Sequence, residues 1–303
     1  MSQSLPHPRR SGLICALLAY TSWGLFPMYW KPFRGVSPLE VISHRVIWSL
    51  LLLGILVFAF REGAEVRSLL RNGKRLGVLF LTASLLSVNW GLFIYAVGIG
   101  QVVQSSLGYF LNPLVSIVLA FVFLRERLTG WQVAAVILAA AGAAHFGWHI
   151  GTVPWIAIGI ALSFALYGLL RKIVAVSPLV GLLVETALMT PAALGLIAFF
   201  AARGQAGFGS ELSLTLLFLG AGVVTTLPLL WFNKAAKLLR LSTLGFLQFL
   251  TPTLQLLVGV CVFHEPFSHR AAVSFALIWS GIGLYLLTLW KSPDNAVPVP
   301  TSD

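Results

Sequence analysis

The chain contains 303 residues, of which 58% are hydrophobic and only 10% are charged, against roughly a quarter charged in an ordinary soluble domain. These values exclude a soluble globular protein, because such a chain needs polar side chains to cover its surface. The net charge of +11 would suggest a nucleic-acid partner in a soluble domain, but in a membrane protein the same excess belongs to loops at the lipid surface. We therefore expect a lipid bilayer, and no nucleic acid, around this chain.

Ten apolar segments, separated by polar clusters and turn residues, predict ten membrane-spanning helices and an all-α integral membrane protein. The first segment follows a basic stretch but has no small-residue cleavage site, so we interpret it as a retained span and not as a signal peptide. The ten predicted spans cover residues 12–30, 38–60, 76–97, 102–124, 131–148, 153–170, 178–201, 212–232, 241–263 and 271–290.

The basic residues predict the orientation of these spans. If the amino terminus is cytoplasmic, fifteen Lys and Arg residues lie inside and four lie outside, namely Lys31, Arg34, Arg203 and Arg270, while Arg45 lies within a span. Cytoplasmic loops of membrane proteins are enriched in Lys and Arg. Both termini are therefore predicted to be cytoplasmic.

The two halves of the sequence resemble each other. A shift of 139 residues places Pro113 on Pro252 and Glu126 on Glu265 without a gap; upstream, Glu40 matches Glu185 at a shift of 145. Chance similarity between apolar helices is the alternative, and the matched Pro-to-Glu spacing argues against it. We predict two five-helix repeats, 12–148 and 153–290, between tails 1–11 and 291–303. Since five is odd, the repeats are inverted, as in alternating-access transporters.

Ionisable residues inside the predicted spans are the first functional candidates, because a charge at membrane depth is costly and is usually functional. The second span carries Glu40, His44 and Arg45, and the seventh carries Glu185. We expect His44, Arg45 and Glu185 to bind a zwitterionic or anionic solute or to couple its movement to protons, since histidine changes charge near neutral pH. The alternative is that these charges only fasten helices together.

Uncharged polar and aromatic residues form the second set of candidates. With the ionisable residues, they are expected to line a midplane cavity between the first, third, fourth, sixth, eighth and ninth spans. The candidates in this set are Trp23, Asn89, Trp90, Tyr109, Asn112, Tyr167 and Gln248. For the aromatic members, packing in the core is an equal alternative. Pro113 and Pro252 are predicted hinges or gates, because proline interrupts a helix.

Other patterns limit the function. The sequence has no Walker-type loop and no His-Glu-x-x-His pair, so it predicts no nucleotide, metal or other cofactor and no catalytic residue. Glu126 and Glu265 lie at predicted helix junctions and are interpreted as structural corners. Two alternatives to a transporter remain open. One is a membrane-embedded enzyme acting on lipid-like substrates, and the other is a scaffold that transports nothing.

Several longer motifs carry a family resemblance. They are the segments at 20–27 (YTSWGLFP), 44–49 (HRVIWS), 89–90 (NW), 106–114 (SLGYFLNPL), 167–172 (YGLLRK), 185–186 (ET) and 244–255 (LGFLQFLTPTLQ). With these motifs the chain closely resembles the RarD proteins, a bacterial branch of the EamA family in the drug/metabolite transporter superfamily. The resemblance covers nearly the full length. It implies a ten-helix carrier of the bacterial inner membrane that exports or facilitates the passage of small-molecule metabolites or drug-like solutes.

Overall fold

The computed structural model describes residues 8–33, 35–98, 102–148, 155–264 and 269–291. Twelve α-helices lie within these ranges, and no strand occurs in them. The helices are α1 Pro8–Trp30, α2 Pro38–Ala59, α3 Gly63–Leu70, α4 Gly73–Gly98, α5 Val102–Leu124, α6 Gly130–Gly147, α7 Trp155–Ile173, α8 Pro178–Ala202, α9 Leu212–Leu238, α10 Leu241–Gln248, α11 Leu250–Leu257 and α12 His269–Lys291. A π-helical turn, Val258–Val262, follows α11.

The ten predicted spans correspond in order to helical segments of the structure. Eight segments of the described chain are long and apolar enough to cross a membrane, and α10, α11 and the π-helical turn together form one of them, Leu241–Val262. The other two, Gly130–His145 in α6 and Ala272–Thr288 in α12, are apolar but shorter within the described residues. The structure therefore confirms an all-helical membrane protein, and these ten apolar segments agree with the predicted count of ten spans.

Two elements differ from the predicted pattern. Helix α9 continues to Leu238, six residues beyond the predicted end, because its polar last turn is packed and hydrogen-bonded instead of forming a loop. There the ammonium of Lys237 donates to the backbone carbonyls of Lys172 and Val174. The short helix α3 lies in a connection for which no helix was predicted.

The two candidate hinge prolines have different surroundings. Pro113 lies inside the continuous helix α5. Pro252 follows the junction at Phe249 between α10 and α11. A proline cannot donate to the carbonyl four residues earlier, which here belongs to Gln248, the last residue of α10. The break in the ninth span is therefore explained by Pro252, whereas Pro113 is accommodated without one.

Packing between the halves follows an inverted two-fold relation. Helices α2 and α8 pack together, as do α6 and α12, and α5 and α10; in each pair a helix meets its own counterpart. The packing of α1 on α9 is mirrored by α4 on α7, and that of α5 on α7 by α1 on α10 and α11. Exchanging the repeats therefore regenerates these pairs of neighbours.

The α6–α12 crossing shows the same symmetry at the level of single residues. A Cβ atom added to Gly142 would lie 2.7 Å from the carbonyl oxygen of Ser274, and one added to Gly281 would lie 2.7 Å from that of Ala135. Both distances are far below van der Waals contact. The two glycines, which the sequence repeat aligns, therefore permit the close approach of these helices.

The first residues of α2 and α8 correct the alignment of the two repeats in the second span. Helices α2 and α8 both begin with a proline that follows a serine, at Pro38 and Pro178, which sets the shift at 140 residues. At this shift Arg45, and not Glu40, occupies the position of Glu185. Each lies seven residues into its helix, about 10 Å along the axis at 1.5 Å per residue. Because the repeats are inverted, the two residues approach the middle of the bundle from opposite ends.

Candidate functional site

The bundle contains a cavity of about 520 Å³ that extends from its middle to one end. We call this end, where residues 31–37 join α1 to α2 and residues 203–211 join α8 to α9, the open end. The opposite end, with connections 60–72, 125–129, 174–177 and 239–240, is called the closed end. The six predicted spans, observed as α1, α4, α5, α7, α9 and the α10–α11 segment, all line the cavity, and α2 joins them.

Most of the predicted site residues face this cavity. The candidates that line it are Arg45, Trp23, Asn89, Trp90, Tyr109, Asn112, Gln248 and Pro252. Four others do not belong to its lining, namely His44, Glu185, Tyr167 and Pro113. Two further polar residues, Thr225 and Gln255, contribute to the wall.

Arg45 is held by one hydroxyl group and two indole rings. Its Nε donates to Thr225 Oγ1 at 2.9 Å. The guanidinium carbon lies 4.5 Å from the ring centroid of Trp90 and 5.2 Å from that of Trp30, within the range of a cation–π interaction. Among the described residues no carboxylate lies within 4.0 Å of Arg45. The charge is therefore supported by aromatic faces and left without an acidic partner.

The two aromatic candidates Trp23 and Tyr167 separate in the structure. Trp23 lines the cavity and also packs against Phe164 and Phe232, each with its ring centroid 5.6 Å away. Tyr167 is fully buried and stacks on Phe232 with centroids 6.0 Å apart. Both alternatives weighed from the sequence thus occur, since one ring faces the cavity and the other belongs to the core.

Amide side chains give the cavity wall its uncharged polar groups. The side-chain nitrogen of Asn89 is already used, because it donates to Ile160 O at 2.9 Å and Ser163 Oγ at 3.0 Å. That of Gln255 donates to Trp23 O at 3.2 Å. Asn112 accepts from the hydroxyl of Ser116 at 3.5 Å. These contacts hold the amide side chains in place at the cavity wall.

Glu185 does not line the large cavity but lies in a buried network beside it. Its carboxylate is 3.6 Å from Arg171 Nη1 and accepts from Thr82 Oγ1 at 2.5 Å and from Tyr167 Oη at 3.4 Å. Glu185 and Arg171 are both 0% exposed. The partner of Glu185 is therefore one of the fifteen basic residues that were predicted to lie on the cytoplasmic side.

Arg171 was missed because it sits one residue beyond the predicted end of its span, beside Lys172. The helix instead continues to Ile173, which places the guanidinium inside the bundle. A Cβ atom at Gly181 would overlap the Arg171 guanidinium, so this glycine in α8 makes space for it. In the sequence, an arginine beside a lysine at the end of an apolar segment looks like an ordinary loop charge. Nothing in the sequence alone indicates that a glycine in another helix makes space for it.

A small second space connects the two charged positions. It has a volume of about 20 Å³ and is lined by both Arg45 and Glu185, and by Trp90, Thr225 and Thr226. The hydroxyl of Thr226 is buried and has no hydrogen-bond partner within the described residues. A polar space of this size accommodates about one water molecule. The space thus lies between the cavity lining and the Glu185 network.

The closed end is sealed by a contact between the repeats. Glu126, at the end of α5, accepts from the backbone N–H groups of Leu241 and Ser242 at 2.8 and 3.1 Å and from the Ser242 hydroxyl at 2.6 Å. Arg240 Nε is 3.5 Å from the same carboxylate. Glu126 therefore caps helix α10 of the other repeat, which is more than the local corner expected from the sequence. Its counterpart Glu265 lies outside the described residues.

The remaining ionisable residues of the second span, Glu40 and His44, lie near the open end but outside the cavity lining. Glu40 is buried and accepts from the backbone N–H groups of Gly207 and Phe208 at 2.8 and 3.2 Å. The His44 ring stacks on Phe208 with centroids 4.7 Å apart and lies 4.0 Å from Glu40. This pair therefore anchors the 203–211 connection to α2, which is the fastening role weighed as an alternative.

Comparison with known proteins agrees with this architecture. The EamA-like transporter family matches residues 10–147. The chain is 41% identical to the uncharacterized transporter YojE of Bacillus subtilis (strain 168), over 93% of this chain and 96% of that protein. It is 43% identical to protein RarD of Salmonella typhi, over 92% and 95%. A crystal structure shares the fold, with a TM-score of 0.70 at 17% identity, over 92% of this chain and 98% of its own. The chain belongs to the RarD branch of the EamA family, in the drug/metabolite transporter superfamily.

Proposed function

We propose that the protein is a secondary transporter that carries a small solute across the bacterial inner membrane by alternating access, without changing it chemically. The observation that carries the proposal is the one-sided cavity: two inverted repeats enclose a space that reaches one end of the bundle and is sealed at the other. Exchange of the two repeat conformations would move the opening to the opposite end. Relatives named as transporters support the same class of function.

Charge distribution supports a cytoplasmic location for the closed end. Its connections carry six basic residues, Arg61, Arg67, Arg71, Arg125, Arg127 and Arg240, whereas the described connections of the open end carry Lys31 and Arg203. By the positive-inside rule the closed end faces the cytoplasm. In this orientation the described conformation is open to the outside, and both chain termini are cytoplasmic.

In this proposal the observed groups have separate roles. Arg45 and the aromatic wall bind the solute, while Glu126 holds the cytoplasmic end closed through its contacts with α10. The break before Pro252 lies between the sealed part of the ninth span and the part that lines the cavity. It therefore serves as the hinge, whereas its repeat counterpart Pro113 lies in an unbroken helix.

We further propose that Glu185 couples transport to protons. Support comes from its burial beside Arg171 and from the small space, lined by Glu185 and Arg45, that adjoins the cavity. The groups facing Glu185 are Arg171 and Tyr167 from α7, Thr82 from α4 and Asn233 through Tyr167 from α9. A proton or a rearranged ion pair at this position would change the packing of four helices together.

Flux measurements in proteoliposomes test the proposal. The purified full chain would be screened for uptake of amino acids, aromatic metabolites and chloramphenicol, with and without an imposed pH gradient. We expect saturable flux of at least one solute. We expect Glu126→Arg to abolish this flux, because it places a second positive charge beside Arg240 at the closing contact.

We expect Glu185→Gln to retain binding but to lose the dependence of flux on the gradient. Absence of saturable flux for every solute would contradict transport, and gradient-dependent flux in Glu185→Gln would contradict the coupling role.

A further inference from the structure

We infer that the solute is a small organic anion with a flat apolar part, and that the Arg45 guanidinium binds its carboxylate. The inference rests on the proposed function only for the passage of this anion through the membrane. The binding of the anion is a separate property of the cavity and is tested separately.

Charge gives the first argument. Arg45 is the one charged side chain among the described residues that line the cavity. It lies about 10 Å along α2 from the open end, at the rise of 1.5 Å per residue, where an uncompensated cation is costly. The cavity therefore attracts anions, and none of its described lining residues is a carboxylate that would compensate an ammonium group.

Hydrogen-bond geometry gives the second argument. The Nε of Arg45 is occupied by Thr225, and the indole rings of Trp90 and Trp30 lie against the guanidinium. Within the described residues, its two terminal nitrogens make no hydrogen bond. A guanidinium held in this way presents a preorganised pair of donors, which matches the two oxygens of a carboxylate.

The wall gives the third argument. Beyond Arg45 the cavity is lined mainly by aromatic and aliphatic side chains, among them Trp23, Phe26, Phe164 and Leu229. Its volume of about 520 Å³ lies within the usual range for small-molecule sites, about 300–1,000 Å³. The amides of Asn112 and Gln248 are the polar groups that a hydroxyl or carbonyl of the anion would meet. A ring-bearing acid without an amino group therefore fits better than the corresponding amino acid.

A matched set of small probes tests the inference. Binding of 3-phenylpropanoate, 3-phenylpropanamide and 3-phenylpropylamine to the full chain in lipid nanodiscs would be measured by tryptophan fluorescence and by calorimetry. The three compounds share the ring and spacer and differ in charge. We expect the acid to bind at least about tenfold more tightly than the amide, as a hydrogen bond to a charged group implies, and the amine to bind most weakly. Equal binding of acid and amide, or undetectable binding of the acid, would overturn the inference.

Variants assign the preference to Arg45. In Arg45→Gln we expect the acid and the amide to bind within about twofold of each other, whereas Arg45→Lys should retain part of the preference because it keeps the charge. Arg203→Gln is the matched control, since it removes a positive charge at the open end outside the cavity lining. A preference that persists in Arg45→Gln would overturn the inference. If Arg45→Gln does not fold, the preference for acid over amide in Arg45→Lys tests the inference instead, and an undiminished preference there would overturn it.

Binding and flux outcomes are distinguishable. Acid binding that depends on Arg45 without flux of the acid in proteoliposomes would support the site and contradict the proposed transport function. Saturable flux of neutral or cationic solutes without acid binding would support transport and contradict the anion site.

Discussion

The two ends of the bundle use equivalent positions in opposite ways. Toward the open end, Arg45 lies at the cavity wall among aromatic rings and has no acidic partner in the described part of the chain. Toward the closed end, Glu185, seven residues into the corresponding helix, is buried against Arg171. The backbone positions are related by the repeat, but the chemistry is not. A symmetric scaffold here carries an asymmetric pair of charges, so the two open states of the transport cycle would present different groups to the solute.

The largest expected effect concerns stability. Arg171→Met leaves the Glu185 carboxylate buried without its cation, which we expect to lower the free energy of unfolding by about 3–5 kcal/mol. Arg45→Met leaves no buried carboxylate behind, so we expect it to cost clearly less than Arg171→Met. Unfolding in mixed micelles measures both. The double variant Arg171→Met/Glu185→Gln should recover more than half of the loss, and a double variant no more stable than the single one would contradict a pairing role.

The next effect concerns the seal. Glu126→Ala removes the acceptor for two backbone N–H groups and a hydroxyl at the start of α10. Because hydrogen bonds to a charged group contribute about 1.5–3 kcal/mol, we expect the closed end to open about tenfold more often. The measurement is maleimide labelling of a cysteine replacing the buried Leu239, in a background lacking Cys15 and Cys261.

The control for this prediction is Glu211→Ala. Glu211 precedes α9 at the open end and makes no side-chain cap hydrogen bond, so its removal should not change labelling at position 239. Equal labelling in Glu126→Ala and the parent protein would show that the cap does not hold the closed end.

The third effect concerns the α6–α12 crossing, where the two repeats are alike. Gly142→Ala and Gly281→Ala each insert a methyl group 2.7 Å from a backbone carbonyl, and such overpacking costs about 1–3 kcal/mol. We expect similar losses in thermal stability for both variants. Gly283→Ala, on the same helix with no atom within 4 Å of the added methyl, should be neutral or slightly stabilising. Clearly unequal losses at Gly142 and Gly281 would contradict the symmetric packing.

Much of this architecture could be predicted from one sequence, because the spans and the repeat depend on local hydropathy and on spacing along the chain. The cavity-facing candidates were also largely recognisable, since polar and aromatic residues inside apolar spans are few. The pairing of charges was not predictable. Glu185 has Arg171 as its partner because α7 continues past its apolar stretch, and only the folded arrangement of the bundle brings the two side chains together.

The register of the second span shows the same limit. Matching carboxylates suggested a shift of 145, whereas the serine-proline helix starts at Pro38 and Pro178 set it at 140. Residue identity was a poor guide to the alignment of the repeats here, because the equivalent positions hold Arg45 and Glu185, which carry opposite charges. Glu126 was similarly placed at the correct junction, but a cap on a helix of the other repeat depends on tertiary contact.

The smallest effect concerns the entrance to the cavity. The ammonium of Lys31 lies 3.7 Å from the ring centroid of Phe263 at the open end, next to Trp30 in the chain. If Arg45 is the binding charge, Lys31 acts only at a distance, through attraction of the anion during its approach. We expect Lys31→Gln to slow association of 3-phenylpropanoate about twofold at low salt and to leave its dissociation rate unchanged, since peripheral charges act mainly on association. The difference should disappear as the ionic strength rises and screens the exposed charge.

A faster dissociation rate that persists in high salt would instead place Lys31 in direct contact with the anion, and the open end would then hold two binding cations instead of one.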